Sequence, residues 1–224
     1  MDEPSGTPVF CSWSGGKDSA LALHEAAAAG ARPALLLSML TDDGERSRAH
    51  GLHRTVLEAQ ADALGLPIRF GAATWQGYEA AFRELLAEAV RGGVTTGVFG
   101  DIDLDEHRAW VERVCSVEGV TPLLPLWQRG RRAVVDRLIR LGFRAVIVAV
   151  QEQIGPDILG RVLDAELVAE MEEAGIDVAG EQGEFHTLVV DGPGFRRPLE
   201  IELGQRVRRD GMWFVDVAAA AAQA

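Results

Sequence analysis

Lysine is almost absent from this 224-residue chain: of 22 basic residues all but one are arginine, and the exception is Lys17. Cysteine is scarce as well. Cys11 and Cys115 lie far apart, with no CxxC pair and no Cys/His set at zinc spacing, which argues against a disulfide framework or a structural metal and for a reducing compartment. No apolar run reaches the ~18 residues of a membrane span. The acidic, polar start from Met1 to Pro8 has neither the basic nor the apolar region of a secretion signal. The expectation is a soluble cytoplasmic protein with no membrane partner. Positive charge is also in deficit. A net charge of -12 leaves no broad basic face for counterion release, so no nucleic-acid partner is expected. The clusters Arg129, Arg131 and Arg132, then Arg196 and Arg197, then Arg206, Arg208 and Arg209 read as solvated faces or anion contacts.

What is present suffices for a full core, since 47% of the residues are hydrophobic. Short apolar runs alternate with helical patterns, the signature of an α/β protein with a parallel sheet and crossover helices. Strands are expected at Val9–Trp13, Ala34–Leu40, Ile68–Gly71, Thr96–Gly100 and Val120–Leu124. Helices are expected at Asp18–Ala29, Leu52–Leu64, Tyr78–Arg91 and Leu104–Val117. Beyond these come a helix at Arg131–Leu141, a very apolar strand at Ala145–Val150 and a helix at Asp164–Ala174. Strands at Thr187–Val190, Leu199–Leu203 and Met212–Val217 then suggest a smaller, partly antiparallel unit. The expected division is residues 1–125, a second subdomain at 126–217 packed on the first, and a flexible Ala-rich tail at 218–224.

The lone lysine stands in Ser14-Gly15-Gly16-Lys17-Asp18-Ser19, between the first strand and the first helix. A helix N-terminus preceded by glycines is an anion site, because backbone N–H groups and the helix dipole favour negative charge and the glycines admit a phosphate. An ammonium is a compact point charge that fits such a loop where a planar guanidinium demands its own geometry. Two familiar phosphate loops are excluded. The Walker pattern fails because Cys11 stands where its first glycine belongs and Asp18 follows the lysine; the dinucleotide fingerprint GxGxxG is absent.

The run SGGKDS resembles the pyrophosphate loop of the N-type ATP pyrophosphatases, and three further segments narrow the resemblance. They are Arg46-Ser47-Arg48-Ala49-His50-Gly51; Gly100-Asp101-Ile102-Asp103 leading to His107-Arg108-Ala109-Trp110; and Gly183-Glu184-Phe185-His186-Thr187. Together, from about Val9 to Leu199, they resemble the diphthine-ammonia ligase family. The resemblance implies a Rossmann-like, doubly wound sheet of the adenine nucleotide alpha hydrolase type with a smaller C-terminal α+β subdomain. It implies a reaction in which ATP adenylates a carboxylate, pyrophosphate leaves and ammonia completes an amide. The acceptor is left open between diphthine, which lies on elongation factor 2, and another carboxylate. ATP is then held by Ser12, Ser14, Gly15, Gly16, Lys17, Asp18, Ser19 and Gly100, with adenine near Ser38 and Met39, and Asp18 is the expected Mg2+ ligand. Catalytic roles fall to Lys17, Asp101, Arg108, Glu184 and His186, and acceptor contacts to Arg48, His50, Glu184, His186 and Thr187. Asp101 alternatively caps the next helix, and Arg108 alternatively pairs with Glu112, four residues on. A homodimer is a further expectation. Two other functions share the loop: a tRNA sulfur transferase, which needs reactive thiols and a basic RNA surface, and a nucleotide-sensing module without ligase chemistry.

Overall fold

The computed structural model describes residues 6–220. Its first half is a five-stranded sheet made of β1 (Pro8–Ser12), β2 (Arg32–Leu40), β3 (Ile68–Ala72), β4 (Thr96–Val98) and β5 (Thr121–Leu123). All neighbours are parallel, in the order β3-β2-β1-β4-β5. The crossovers are α1 (Lys17–Ala28), α2 (Arg54–Leu64), α3 (Tyr78–Arg91) and α4 (Asp105–Glu118). Strand alternation feeds two layers. Val9, Cys11, Trp13, Leu36 and Leu40 pack with α1 and α2, whereas Phe10, Leu37 and Met39 pack with Phe82, Leu86, Val111 and Cys115 of α3 and α4. Chain direction through the sheet reverses between β1 and β4, so the crevice beyond their C-terminal ends is where ligands bind in such folds.

The second half carries α5 (Arg131–Arg140), β6 (Arg144–Gln151), α6 (Ala165–Glu173), β7 (Phe185–Asp191), β8 (Ile201–Arg209) and β9 (Met212–Ala219). Its strands form an antiparallel sheet in the order β7-β6-β9-β8. One continuous core joins it to α1 and α2, with Val146, Val148, Leu188 and Val190 packed in the same cluster as Leu21 and Leu57. Helices α1 and α2 therefore lie between the two sheets.

Two expectations change at the C-terminal end. β8 runs well past Leu203; it is an edge strand exposed along most of its length, with no buried face to impose an alternating pattern on its sequence. The Ala-rich segment is no free tail at its start. Ala218 and Ala219 pair with Glu202 and Ile201 in the β8–β9 ladder, and the Ala220 N–H donates to the Glu200 carbonyl. Residues 221–224 of that tail, and residues 1–5, lie outside the described residues.

The halves are sewn together by Gln60, a fully buried side chain on α2. Its Nε2 donates to the carbonyls of Gly15 (3.0 Å) and of Val189 on β7 (2.6 Å), and its Oε1 accepts from the Trp13 indole (2.8 Å). Burying an amide is tolerable only when its groups are satisfied, as they are here. Gln60→Leu strands the indole N–H and the Val189 carbonyl. Urea unfolding is expected to show a loss of roughly 1–3 kcal/mol for each stranded group, as a lower midpoint at unchanged slope.

Candidate functional site

The turn after β1 is held from three sides. Ser14 Oγ accepts from the Gly16 N–H (3.2 Å), Ser19 Oγ donates to the Gly16 carbonyl (3.1 Å), and the Val189 N–H donates to the Gly15 carbonyl (2.9 Å). The Lys17 N–H donates to Thr187 Oγ1 (3.0 Å), so β7 caps the first helical turn from the other half of the chain. Two of the loop amides read as facing an anion are thus engaged by hydroxyls. A side chain would be crowded at two of the glycines. A Cβ at Gly16 would lie 2.6 Å from His50 Nε2, and one at Gly100 would lie 2.8 Å from the Asp18 carbonyl carbon, where β4's exit passes the start of α1.

A cavity of about 570 Å3 opens beyond β1 and β4, and its lining includes Ser12, Ser14, Lys17, Asp18, Ser19, His50, Gly100, Asp101, His186 and Thr187, together with Glu181 and His107. Lys17 is enclosed, its side chain 7% exposed, with Nζ 2.7 Å from Asp18 Oδ2 and 5.5 Å from the Phe185 ring centre. The other Asp18 oxygen, Oδ1, is buried without a hydrogen-bond partner. Burial foremost, and the nearby Asp101 charge, push the Asp18 carboxyl up, against the pull of Lys17. His50 and His186 stand with ring centres 4.6 Å apart. Burial, and then the Lys17 charge, lower His186 to about 4. Burial, His186 and Lys17 together hold His50 well below the usual histidine range. Across the cavity His107 Nδ1 is 3.5 Å from Asp101 Oδ1, and that carboxylate raises the imidazole's pKa. Glu181 is pushed up to about 7, by burial first and by the Asp18 charge second. The cavity therefore holds one ammonium, paired with Asp18, among further carboxylates at Asp101 and Glu181.

A second cavity of about 180 Å3 adjoins the first through Ser12, Ser14 and His50 and contains Ser38, Met39 and Arg48. Its outer wall is Trp75 and Tyr78, with the Arg48 guanidinium 4.6 Å from the Trp75 ring centre and donating to the Ala73 carbonyl. Trp75 is 73% exposed.

Two expected site residues are placed elsewhere. Arg108 Nε is 2.7 Å from Glu112 Oε1, and its guanidinium lies over Trp127, outside the lining of the large cavity. The i, i+4 spacing on α4 puts the carboxylate within reach of the guanidinium, so the surface pairing prevails. Glu184 lines a separate polar groove with Gln151 and Gln153, because its carboxylate accepts from the Gln182 N–H (2.9 Å) and closes the turn at Gly183. Glu181 occupies the large cavity instead. Sequence reasoning missed Gln60, Glu181, Trp75 and Tyr78. An isolated Trp in a polar loop was the one available signal.

Family models for the diphthamide synthase N-terminal and C-terminal domains match residues 8–122 and 131–221 respectively. The chain belongs to the diphthamide synthase family. It is 26% identical to the diphthine-ammonia ligase of Mus musculus over 231 residues, covering 92% of this chain and 86% of that relative. It is 32% identical to the Homo sapiens diphthine-ammonia ligase over 124 residues, covering 53% of this chain and 46% of that relative. Among solved structures it is similar to the predicted subunit of tRNA methyltransferase from Methanocaldococcus jannaschii, with a TM-score of 0.45, 14% identity and coverage of 86% of this chain and 100% of that one. Both matched domains contribute to the cavity lining, the loop from the first and β7 from the second.

Of the three cavity imidazoles, His50 and His186 are held in the neutral form by their burial. A histidine whose folded pKa is depressed contributes stability that is complete above its unfolded value and is lost as pH falls through the folded one. With His186 moved from 6.5 to about 4, the ring resonances of His186 are expected to titrate near 4 in NMR. Unfolding free energy should fall as pH drops from about 6.5 towards 4, less steeply in His186→Gln.

Proposed function

We propose that this chain is an ATP-dependent ligase that adenylates a carboxylate and then amidates it with ammonia, the carboxylate being that of diphthine on elongation factor 2. The observation that carries the reading is the seam between the nucleotide loop and β7, which sets Lys17 beside His186 and Thr187 in one cavity. ATP places its β and γ phosphates at Ser14–Ser19 and its adenine in the smaller cavity beside Ser38, Met39, Trp75 and Tyr78. An acceptor carboxylate oxygen attacks the α-phosphorus; the new O–P bond forms as the bond to the bridging oxygen breaks, and the electron pair leaves with pyrophosphate. Lys17 stabilises that growing charge, an interaction strengthened by its enclosure. His50 and His186, both neutral, suit hydrogen bonding to the acceptor without repelling Lys17.

The residues fit a magnesium ion. Among the described residues no group of three or more His, Cys, Asp or Glu side chains is arranged to hold a metal. Mg2+ in phosphoryl sites takes one or two carboxylates and completes its shell with phosphate oxygens and water. Asp18, with its unpartnered Oδ1, would hold it, and Asp101 stands nearby. The ion would neutralise phosphate charge.

Sulfur transfer is disfavoured by the thiols themselves. Cys11 is buried with its pKa driven far up, and Cys115 is buried on the opposite side of the sheet and pushed up to about 12, so neither is a ready thiolate. Among the described residues no helix is long and apolar enough to cross a membrane.

With diphthine-bearing elongation factor 2, ammonium and α-labelled ATP, the products are expected to be AMP and pyrophosphate. Lys17→Ala should lower the rate about 10²–10³-fold. Lys17→Arg should recover little of it, because the site encloses a compact ammonium. ADP as the sole product would overturn the reading.

A further inference from the structure

We infer that Glu181 is the catalytic base that takes the proton from ammonium as the nitrogen attacks the acyl-adenylate; this inference rests on the ligase reading above. Ammonium has no lone pair to offer and greatly outnumbers ammonia at neutral pH, so a base held beside the reacting carbon speeds the attack. Most titratable groups around the cavity are disqualified by what they already do. Lys17 and Asp18 are paired with each other. Asp101 faces His107, with Oδ1 3.5 Å from the imidazole Nδ1. His50 and His186 hold protons too weakly. Asp103 and Asp177, just outside, are both engaged by Arg131, at 2.7 Å each. Glu181 lines the cavity half-buried, and among the described residues it has no comparable partner.

Its position is built. The Glu181 N–H donates to Asp177 Oδ2 (3.2 Å), and the Ala179 N–H donates to Asp177 Oδ1 (3.0 Å). Asp177 is itself fixed by Arg131, whose other partner is Asp103 in the segment after β4. Gly180 and Gly183, with φ of +66° and +79°, turn the chain on either side. The carboxylate is thereby set in the same cavity as Asp18 and Asp101, where the added negative charge attracts a small cation. Burial makes the group more basic than an ordinary carboxylate.

The step balances. Glu181 takes one proton from ammonium, the freed lone pair forms the C–N bond, and the C–O bond to AMP breaks with its electron pair on the phosphate. The nitrogen then gives a second proton to solvent as the amide forms.

Glu181→Gln keeps the shape and removes the base. The test uses the full chain with diphthine-bearing elongation factor 2 and compares ammonium with hydroxylamine, a nucleophile already uncharged at neutral pH. Acceptor-dependent exchange of labelled pyrophosphate into ATP reports the adenylation half-reaction alone. The expected result is a fall of about 10²–10⁴-fold in amide formation from ammonium, with hydroxamate formation and exchange close to the parent's. An unchanged ammonium rate, or an equal loss with both nucleophiles, overturns the inference and leaves the ligase reading standing. A parent chain without acceptor-dependent exchange overturns that reading, and the inference with it.

Discussion

The contact on which the rest of the molecule depends is the seam between residues 15–17 and residues 187–189. There a glycine-rich turn lies alongside β7 as if it were another strand: the Val189 N–H meets the Gly15 carbonyl, Thr187 receives the Lys17 N–H, and Gln60 bridges the Gly15 and Val189 carbonyls. The turn's shape is set from outside itself. A carbonyl drawn to β7 is turned away from the cavity, where it would face a phosphate with negative charge of its own. The sheet that carries the acceptor-side residues is also the one that shapes the nucleotide loop.

Charge is distributed in keeping with that seam. Lys17 stands at the loop, and Asp101 and Glu181 line the same cavity. One space thus offers an ammonium to an anionic group and carboxylates to a cationic one. The neutral imidazoles of His50 and His186 add no charge to it.

The parts of this arrangement that follow local rules were legible in the sequence. The parallel strands, their helices and the Ser14–Ser19 turn announce themselves by periodicity and by glycine, because each is dictated by residues close along the chain. What was illegible is long-range. Gln60 reads as one more polar residue of an amphipathic helix, and only the fold shows that it faces two backbone carbonyls and an indole. Glu181 and Glu184 are three residues apart in the same acidic turn, and no pattern says which of them enters the cavity. The glycine conformations at Gly180 and Gly183 decide it. β8 was cut short for a similar reason: an edge strand with no buried face carries no alternation to read.

The seam also constrains how the molecule can move. Hinge opening between the two sheets would have to break the β7 contacts and unshape the loop in the same stroke, so the halves behave as one rigid frame while the ligands are held. His50 and Glu181 line the cavity without taking part in those contacts, so either side chain can be altered while the loop keeps its shape.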